Sequence, residues 1–200
     1  CAWGSDVCSS DLHKGMLQDI AHRNEMFMEL ARDERVTACV SPFLGEDLVM
    51  YRSLSVFKPK DYQGPVGWHQ DMTYWEGEDS KITVWISLDN VTDENGALHV
   101  IPGTHKFLVD EYEEQNEIFP YVIPEKLIEH DKEVIVDAEV GDVVIFHSQT
   151  FHSSKANQSG GDRYVLIYTL QPASDQSHHR DGPPVPTSGK KVAQTHVSTN

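Results

Sequence analysis

The sequence has little of three things: long apolar runs, positive charge and cysteine. No apolar run approaches the roughly 20 residues that a membrane-spanning helix needs. The chain has 16 Lys and Arg against 32 Asp and Glu, a net charge of -16. This balance disfavours nucleic acid and anionic membranes as partners, since both require a basic surface. We expect a small-molecule substrate instead, and an anionic ligand would need a local cation to hold it.

The three cysteines, Cys1, Cys8 and Cys39, form an odd and sparse set. Such a set is typical of reduced thiols in a cytoplasmic protein rather than of a disulfide framework. We therefore predict a cytoplasmic location. The sequence carries no signal for an oligomeric state.

Composition divides the 200 residues into three parts. Residues 1–12 (CAWGSDVCSSDL) have neither helical nor strand periodicity, so we predict a non-native or disordered segment there. Residues 13–172 have the size of one domain. After Pro172 the chain is polar and rich in proline, which predicts a disordered tail over residues 173–200.

Periodicity predicts one helical region followed by many short strands. Residues 12–40 have an imperfect apolar stripe, with a break near Arg23-Asn24, and Ser41-Pro42 should end the region because the residue before proline avoids helical angles. Strands are predicted at 49–58, 68–73, 82–88, 97–101, 134–138, 143–147, 150–154 and 163–170. This pattern predicts a mainly β protein with flanking helices, built as a β-sandwich or double-sheet jelly roll.

A candidate metal site begins at Trp68-His69-Gln70-Asp71. On extended backbone the side chains of His69 and Asp71 point to the same face. One imidazole and one carboxylate are two of the three ligands of the facial triad that binds Fe(II). The His-x-Asp pattern is weak by itself, because most histidines are ordinary surface or core residues. A third ligand on another strand is therefore needed.

His152 is the best third ligand among the eleven histidines. Ser154 shares its face, and Arg163 opens the next strand, close to Ser154 if the two strands form an antiparallel hairpin. An arginine fork beside a hydroxyl suits a carboxylate-bearing co-substrate. His147 is the rival ligand, but on a continuous strand it would face the opposite way, and a locally hydrogen-bonded histidine is the simpler interpretation.

Aromatic residues follow the first two ligands. Tyr74 and Trp75 come directly after them in the chain, so we predict that they contact the substrate. Trp85 lies on a strand that is apolar on both faces, and a core position explains it more simply.

These residues lie in motifs that resemble the phytanoyl-CoA dioxygenase family of Fe(II)- and 2-oxoglutarate-dependent oxygenases. The matching stretches are WHQD at 68–71, ITVWISLDNVTDENGALHVIPGTHK at 82–106, GDVVIFHSQTFHSSKAN at 141–157 and the strand that starts with Arg163-Tyr164. The resemblance implies a double-stranded β-helix, which is a cupin-like jelly roll. Family members usually have more chain before the first helix, so the domain over 13–172 is expected to be truncated at its N-terminus.

The resemblance also implies roles for individual residues. Three are implied as catalytic iron ligands: His69, Asp71 and His152. Three are implied to bind 2-oxoglutarate: Arg163, Ser154 and Gln70. With O2 as the further co-substrate, the expected reaction is hydroxylation of a small molecule with release of succinate and CO2. Family halogenases have a small residue in place of the aspartate, so Asp71 implies hydroxylation.

Two other interpretations stay open from the residues alone. The first is a cupin-like metal enzyme that does not use 2-oxoglutarate, which would leave Arg163 and Ser154 without a role. The second is a non-catalytic jelly roll that binds a small molecule. No stretch of the sequence indicates which substrate is used.

Overall fold

The computed structural model of the chain describes residues 15–60, 64–75, 77, 80–115, 120–177 and 185–188. Residues 1–12, for which a non-native or disordered segment is predicted, lie outside this part of the chain.

Three helices, α1 (Ile20–Arg23), α2 (Glu25–Ala31) and α3 (Glu34–Leu44), come before the large sheet. The side chains of Asn24 and Asp33 each accept a hydrogen bond from the backbone N–H two residues further on, so they begin α2 and α3 as N-caps. The expected break near Arg23-Asn24 is confirmed, and a second break follows. Within the described ranges, none of the helices combines the length and apolar character that crossing a membrane requires.

The expected helical region is wrong at both ends. Met16–Gln18 form strand β1, which pairs with residues 54–56 of the next strand. Pairing with a distant segment leaves no mark on local periodicity, and here it decides the conformation. At the other end, α3 continues through Pro42 to Leu44. A proline in the last turn forfeits only one backbone hydrogen bond, so the helix tolerates it there.

Most of the strands that follow lie close to the predicted positions. They are β2 (Leu48–Lys58), β3 (Val66–His69), β4 (Ile82–Ser87), β5 (Leu98–Ile101), β6 (Glu113–Glu114), β7 (Tyr121–Val122), β8 (Val134–Val136), β9 (Val143–His147), β10 (Phe151–Ser154), β11 (Arg163–Pro172) and β12 (Val185–Pro186). The strand predicted at 68–73 is wrong in its second half, because β3 ends at His69 and Asp71 begins a 3-10 turn. Strands β6, β7 and β12 were not predicted. Single 3-10 turns lie at Asp71–Tyr74, Asp93–Asn95, Thr104–Lys106, Glu125–Leu127 and His130–Lys132.

Two antiparallel sheets form the body of the protein. The large sheet has the order β1-β2-β11-β4-β9, with β12 also paired to β2, and the small sheet has the order β3-β10-β5-β8. Side chains from both sheets meet in one buried cluster, which includes Trp85 and Val165 from the large sheet and Leu98 from the small one. The sheets therefore pack face to face, as in a double-stranded β-helix, and the predicted fold class is confirmed.

Two further clusters cover the outer faces of the sheets. The three helices pack against the outer face of the large sheet, through residues that include Ile20, Val40, Val84 and Tyr168. Residues from 107–115 and 120–130 cover the outer face of the small sheet, and Ile123 is among the buried ones. The polar groups that could take part in chemistry lie in the space between the two sheets.

The predicted disordered tail over 173–200 needs correction in two places. The Nζ of Lys81 lies 2.7 Å from a carboxylate oxygen of Asp175, and both side chains are buried. Strand β12 pairs with β2, and the N–H of Thr187 donates to the carbonyl of Leu48 at 3.0 Å. Residues 173–177 and 185–188 are thus part of the fold, which their polar composition conceals.

Candidate active site

His69, Asp71 and His152 meet in the space between the two sheets. His69 ends β3 and lies opposite His152 of β10 in the small sheet. The Nε2 atoms of His69 and His152 each lie 3.7 Å from Oδ1 of Asp71. One ligand atom from each residue lies within 4.8 Å of the other two. This is the grouping that a facial triad requires.

Hydrogen bonds orient the imidazoles of His69 and His152, whose Nε2 atoms both lie near Oδ1 of Asp71. The Nδ1 atoms of His69 and His152 lie 2.9 Å from the backbone carbonyls of Gly67 and Thr150. A carbonyl only accepts, so each Nδ1 carries the proton and each Nε2 lone pair is available to a metal.

The orientation of Asp71 and the charge state of His69 also fit metal binding. The hydroxyl of Thr83 donates to Oδ2 of Asp71 at 3.0 Å, which leaves Oδ1 facing the two histidines. Burial, reinforced by the nearby imidazole of His152, lowers the pKa of His69 to about 4, although Asp71 acts in the opposite direction. His69 is therefore neutral at pH 7, as a metal ligand must be.

Gln70 is placed differently from the expectation. Its backbone is extended, with φ -113° and ψ 128°, so its side chain points away from the face that His69 and Asp71 share. Its Nε2 donates to the carbonyls of Phe107 and Gln149, both at 2.7 Å, and its Oε1 accepts from the N–H of Val109 at 2.9 Å. Gln70 is fully buried and is not among the residues that line the cavity between the two sheets. Its position does not fit the expected contact with 2-oxoglutarate, and its side chain instead holds three backbone groups.

His147, the rival ligand, lies away from the triad. It is on β9 with Ile145, which packs against the outer cluster, whereas Phe146 between them lines the cavity. The Nδ1 of His147 accepts a hydrogen bond from the backbone N–H of Gln149 at 3.1 Å. The chain is not one continuous strand from His147 to His152, because β9 belongs to the large sheet and β10 to the small sheet. His147 is separated from the triad by alternation within β9, and its local hydrogen bond agrees with the simpler interpretation.

A pair of buried cations lies at one end of the same cavity. Arg163 opens β11 directly opposite Lys58 of β2. The Nζ of Lys58 donates to Oγ of Ser154 at 2.8 Å, and Nη2 of Arg163 donates to the carbonyl of Gly96 at 3.0 Å. Lys58 is 1% exposed and Arg163 is 2% exposed. Within the described ranges neither forms an ion pair with a carboxylate.

Burial disfavours the charged forms of both Lys58 and Arg163. Burial, reinforced by the neighbouring guanidinium of Arg163, lowers the pKa of Lys58 to about 7. Burial also lowers the pKa of Arg163 to about 10. Two adjacent buried cations are unfavourable unless an anion lies between them. The arrangement therefore has the chemistry of an anion site.

Ser154 and Arg163 come together by a different route from the predicted hairpin. β10 belongs to the small sheet and β11 to the large sheet, so the two strands are not paired. Both residues line the cavity, and Lys58, which lies opposite Arg163, donates a hydrogen bond to Ser154. Lys58 was not identified from the sequence, although it ends a strand whose alternate residues, Leu54 and Val56, also line the cavity.

The cavity between the sheets has a volume of about 510 Å³ and contains both groups of residues. Tyr74 and Trp75 line it, in positions consistent with the substrate contacts predicted for them. The hydroxyl of Tyr74 donates to the carbonyl of Tyr121, and burial raises the pKa of Tyr74 to about 12, so the hydroxyl keeps its proton. Trp85 belongs to the core, as predicted, and also lines the cavity.

The fold and the triad together define a jelly-roll protein in which two histidines and one carboxylate are grouped so that they could hold a metal ion. Residues 5–165 match the phytanoyl-CoA dioxygenase (PhyH) family, and the chain belongs to that family. The resemblance inferred from the motifs is confirmed.

Relatives with assigned activities are similar over most of this chain. A probable alpha-ketoglutarate-dependent hypophosphite dioxygenase of Stutzerimonas stutzeri is 31% identical over 144 residues, which are 69% of this chain and 50% of that protein. The L-proline trans-4-hydroxylase of Streptomyces griseoviridis is 27% identical over 183 residues, which are 80% of this chain and 68% of that protein. The chain thus spans about half to two thirds of the length of these relatives.

Solved structures share the architecture at low sequence identity. The apo structure of the non-heme monooxygenase ThoJ superposes with a TM-score of 0.77 at 18% identity, covering 93% of this chain and 70% of that one. EctD from S. alaskensis with 2-oxoglutarate and 5-hydroxyectoine gives a TM-score of 0.72 at 21% identity, covering 88% and 64%. At these identities the likeness establishes the fold.

Proposed function

We propose that the chain is the catalytic core of an Fe(II)- and 2-oxoglutarate-dependent dioxygenase that uses O2 to hydroxylate a small molecule, releasing succinate and CO2. The observation that carries the proposal is the coexistence, in one cavity, of the His69–Asp71–His152 triad and the buried Lys58–Arg163 pair. A metal and an organic anion are the two ligands that these groups fit. The PhyH family and the names of the two relatives support the same reaction class.

The triad residues fit iron through their donor atoms. His69 and His152 would bind through Nε2, since their Nδ1 protons are committed to backbone carbonyls. Asp71 would bind through Oδ1, since Thr83 holds Oδ2. When bound, Fe(II) supplies the activation of O2 and the oxidation of a C–H bond, which no side chain can perform.

The cation pair fits the distal carboxylate of 2-oxoglutarate. Arg163 offers a charge-assisted fork, Lys58 a second positive charge, and Ser154 a hydroxyl. Ser154 is two residues beyond His152 on β10, which is about 7 Å along a strand. The terminal carboxyl carbons of an extended five-carbon diacid are about 5 Å apart, from ordinary carbon–carbon bond lengths. The co-substrate can therefore reach from the triad to the cations.

The rest of the cavity keeps the reaction dry and positions the substrate. Apolar side chains from both sheets line it, among them Leu54, Val56, Leu98, Phe146 and Ile167. They exclude water, which strengthens the electrostatic contacts inside. Tyr74 and Trp75 are the proposed substrate contacts. The presence of Asp71 favours hydroxylation over halogenation, following the family pattern.

The alternatives leave observed features without a role. A metal enzyme that does not use 2-oxoglutarate would not need Lys58 and Arg163 buried together. A non-catalytic binding protein would not need two histidines oriented with both Nε2 atoms toward one carboxylate oxygen. We further propose a cytoplasmic location from the sparse cysteines; Cys39, which the structure describes, is an exposed free thiol.

The proposal is tested by succinate formation. The protein is incubated with Fe(II), O2 and 2-oxoglutarate, with and without a panel of small molecules, and succinate is measured. We expect Fe(II)-dependent succinate release that at least one panel compound stimulates and that Asp71→Ala abolishes. Asp131→Ala, which changes an aspartate at an exposed position, is the matched control. Equal succinate release from the wild type and Asp71→Ala would contradict the proposal.

A further inference from the structure

One buried hydroxyl on the cavity wall has no partner. Thr169 is fully buried and lines the cavity. Within the described ranges, its Oγ1 is the one buried side-chain nitrogen or oxygen atom without a hydrogen-bond partner. Its chain neighbours Tyr168 and Leu170 pack into the cluster on the outer face of the large sheet, so Thr169 points inward. Buried hydroxyls in folded proteins nearly always have a partner, and a ligand in the cavity would provide one.

The polar groups on either side of Thr169 differ from it because they are bonded to other side chains. Thr169 lies opposite Thr83 of β4 and opposite Arg52 of β2. The hydroxyl of Thr83 donates to Oδ2 of Asp71 at 3.0 Å. The guanidinium of Arg52 donates to Oε1 of Gln18 at 3.2 and 2.8 Å. In this row of the sheet, the hydroxyl of Thr169 is thus the group that is left for a ligand.

Strand register places this hydroxyl beside the metal ligands. Side chains directly opposite each other on antiparallel strands have Cβ atoms about 5 Å apart, which is the separation expected for Thr169 and Thr83. Thr83 in turn contacts Asp71. A molecule with an oxygen atom at Thr169 would therefore have carbon atoms close to a metal held by the triad.

The co-substrate extends in the other direction along β11. Arg163, which is proposed to hold the distal carboxylate of 2-oxoglutarate, begins the strand six residues before Thr169, about 20 Å away along the backbone. The metal ligands are next to Thr169, so 2-oxoglutarate occupies the stretch that leads from them toward Arg163. An oxygen atom bound by Thr169 is therefore assigned to a second molecule, which is the substrate.

Trp75, a proposed substrate contact, lies at the same end of the cavity as Thr169. The pairing of β2 with β11 shifts directly after Thr169, and Tyr51 is the extra residue of the resulting β-bulge. The ring of Tyr51 packs 5.6 Å from that of Trp75, which lines the cavity. Bulges redirect side chains and are frequent beside active sites. An aromatic ring and a hydroxyl without a partner thus border the space beside the metal ligands.

We propose that Thr169 is a specificity-determining residue whose hydroxyl donates a hydrogen bond to an oxygen atom of the substrate, while Trp75 packs against the apolar part of the same molecule. The proposal rests on the oxygenase function proposed above, because it assigns the triad to Fe(II) and the Arg163 end to 2-oxoglutarate. It defines the substrate class as small molecules that carry a carbonyl, hydroxyl or ether oxygen within a few bonds of the carbon that is oxidised.

Urea denaturation of the ligand-free protein tests whether the hydroxyl lacks a partner. Thr169→Val replaces the hydroxyl by a methyl group of similar shape, so the midpoint should stay the same or rise. The matched control is Thr104→Val. The hydroxyl of Thr104 is buried, donates to the carbonyl of Ile101 at 2.7 Å and accepts from the N–H of Phe151 at 2.9 Å, so this midpoint should fall. A midpoint of Thr169→Val below that of the wild type would overturn the proposal.

Paired probes test whether Thr169 binds a ligand oxygen. Mn(II), which does not turn over, and saturating 2-oxoglutarate are added first. Three ketones and the alkenes of the same shape are then titrated by ligand-observed NMR: cyclohexanone and methylenecyclohexane, cyclopentanone and methylenecyclopentane, and acetophenone and α-methylstyrene. The ratio of ketone affinity to alkene affinity is compared between proteins, so that differences in hydrophobicity cancel. For at least one pair, this ratio should fall about three- to tenfold in Thr169→Val, as for the loss of one hydrogen bond.

The conservative variant and the co-substrate complete the probe experiment. Thr169→Ser keeps a hydroxyl and should keep the wild-type ratio of ketone to alkene affinity. Thr169→Val should bind 2-oxoglutarate like the wild type. The proposal is overturned if no ketone binds the wild type, or if the ratio is the same in the wild type and Thr169→Val for every pair. Weaker 2-oxoglutarate binding in Thr169→Val would also overturn it, because the hydroxyl would then belong to the co-substrate site.

The same measurements separate this proposal from the oxygenase function. If 2-oxoglutarate does not bind the wild type, the oxygenase assignment is contradicted. The probe ratios are then measured without Mn(II) and 2-oxoglutarate. A ratio that falls in Thr169→Val under these conditions supports an oxygen-binding site in the cavity, and a ratio that does not fall overturns it.

Discussion

Arg163 and Lys58 lie directly opposite each other on neighbouring antiparallel strands, with both side chains buried on the inner face of the large sheet. Like charges at such positions repel, and burial increases their cost. A protein keeps this arrangement where a ligand compensates for it. The pair therefore defines the anion end of the cavity, and two of the predictions below concern it.

Replacing Arg163 should remove most of the affinity for 2-oxoglutarate. Arg163→Ala deletes the buried fork, and we expect binding to weaken by about 100-fold or more, as for other buried charge pairs that lose one partner. The affinity of Arg163→Lys for 2-oxoglutarate should lie between that of Arg163→Ala and that of the wild type. The measurement is calorimetric titration of 2-oxoglutarate in the presence of Mn(II), with Arg35→Ala as a surface control. Unchanged affinity in Arg163→Ala would show that another group holds the co-substrate.

Binding of 2-oxoglutarate should depend on pH through Lys58. Burial, together with Arg163, lowers the pKa of Lys58 to about 7. An anion favours the ammonium form and raises that pKa, so binding takes up a proton above pH 7. Below pH 7 Lys58 is already charged and affinity should be constant. Above pH 7 the Kd should rise by up to about tenfold per pH unit. Lys58→Met should bind more weakly with a flat profile, and a flat wild-type profile would contradict this account.

The two candidate histidines should differ in their effect on metal binding. His152→Ala removes a ligand whose Nε2 faces Asp71, so we expect Fe(II) affinity to fall by about 100-fold or more, comparable with or larger than the loss seen on mutating outer-shell partners. His147→Ala changes a histidine on the other face of the large sheet and should bind Fe(II) like the wild type. Anaerobic equilibrium dialysis measures both. Equal losses in the two variants would indicate a different ligand set.

Gln70 should affect stability more than co-substrate binding. Gln70→Leu leaves the N–H of Val109 and the carbonyls of Phe107 and Gln149 without the partner they have now. We expect a loss of about 2–4 kcal/mol in the free energy of unfolding, from unsatisfied buried groups. Urea denaturation measures it, and Gln158→Leu, at an exposed position, should stay within about 0.5 kcal/mol of the wild type. A stable variant that has lost 2-oxoglutarate affinity would restore the role first expected for Gln70.

The sequence is sufficient for features that depend on local pattern. Alternation locates β2, β4, β9 and β11. The same rule predicts His69 and Asp71 on one face, and the two residues do meet, although Asp71 begins a 3-10 turn just beyond the end of β3. Applied one step further, it would also have turned Gln70 away from the cavity, since Gln70 stands between two residues that face inward. The motifs then supply His152, which lies far away in the chain.

Features that depend on pairing between distant segments are not visible in local pattern. β1 lies in a stretch with helical character, and only its pairing with β2 makes it a strand. Lys58 gains its importance from the register that sets it opposite Arg163 and from Ser154 on the facing sheet. The polar composition around Asp175 resembles that of a disordered tail. Only the ion pair with the buried Lys81 shows that these residues belong to the fold.

The central claim is that one cavity binds iron and 2-oxoglutarate together, and coupled binding tests it most directly. Equilibrium dialysis of labelled 2-oxoglutarate is performed without oxygen, with and without Fe(II), on the wild type and on His152→Ala. We predict one 2-oxoglutarate per chain, bound about tenfold or more tightly with Fe(II) than without it, and no effect of Fe(II) in His152→Ala. Affinity that is the same with and without Fe(II) in the wild type would contradict the account.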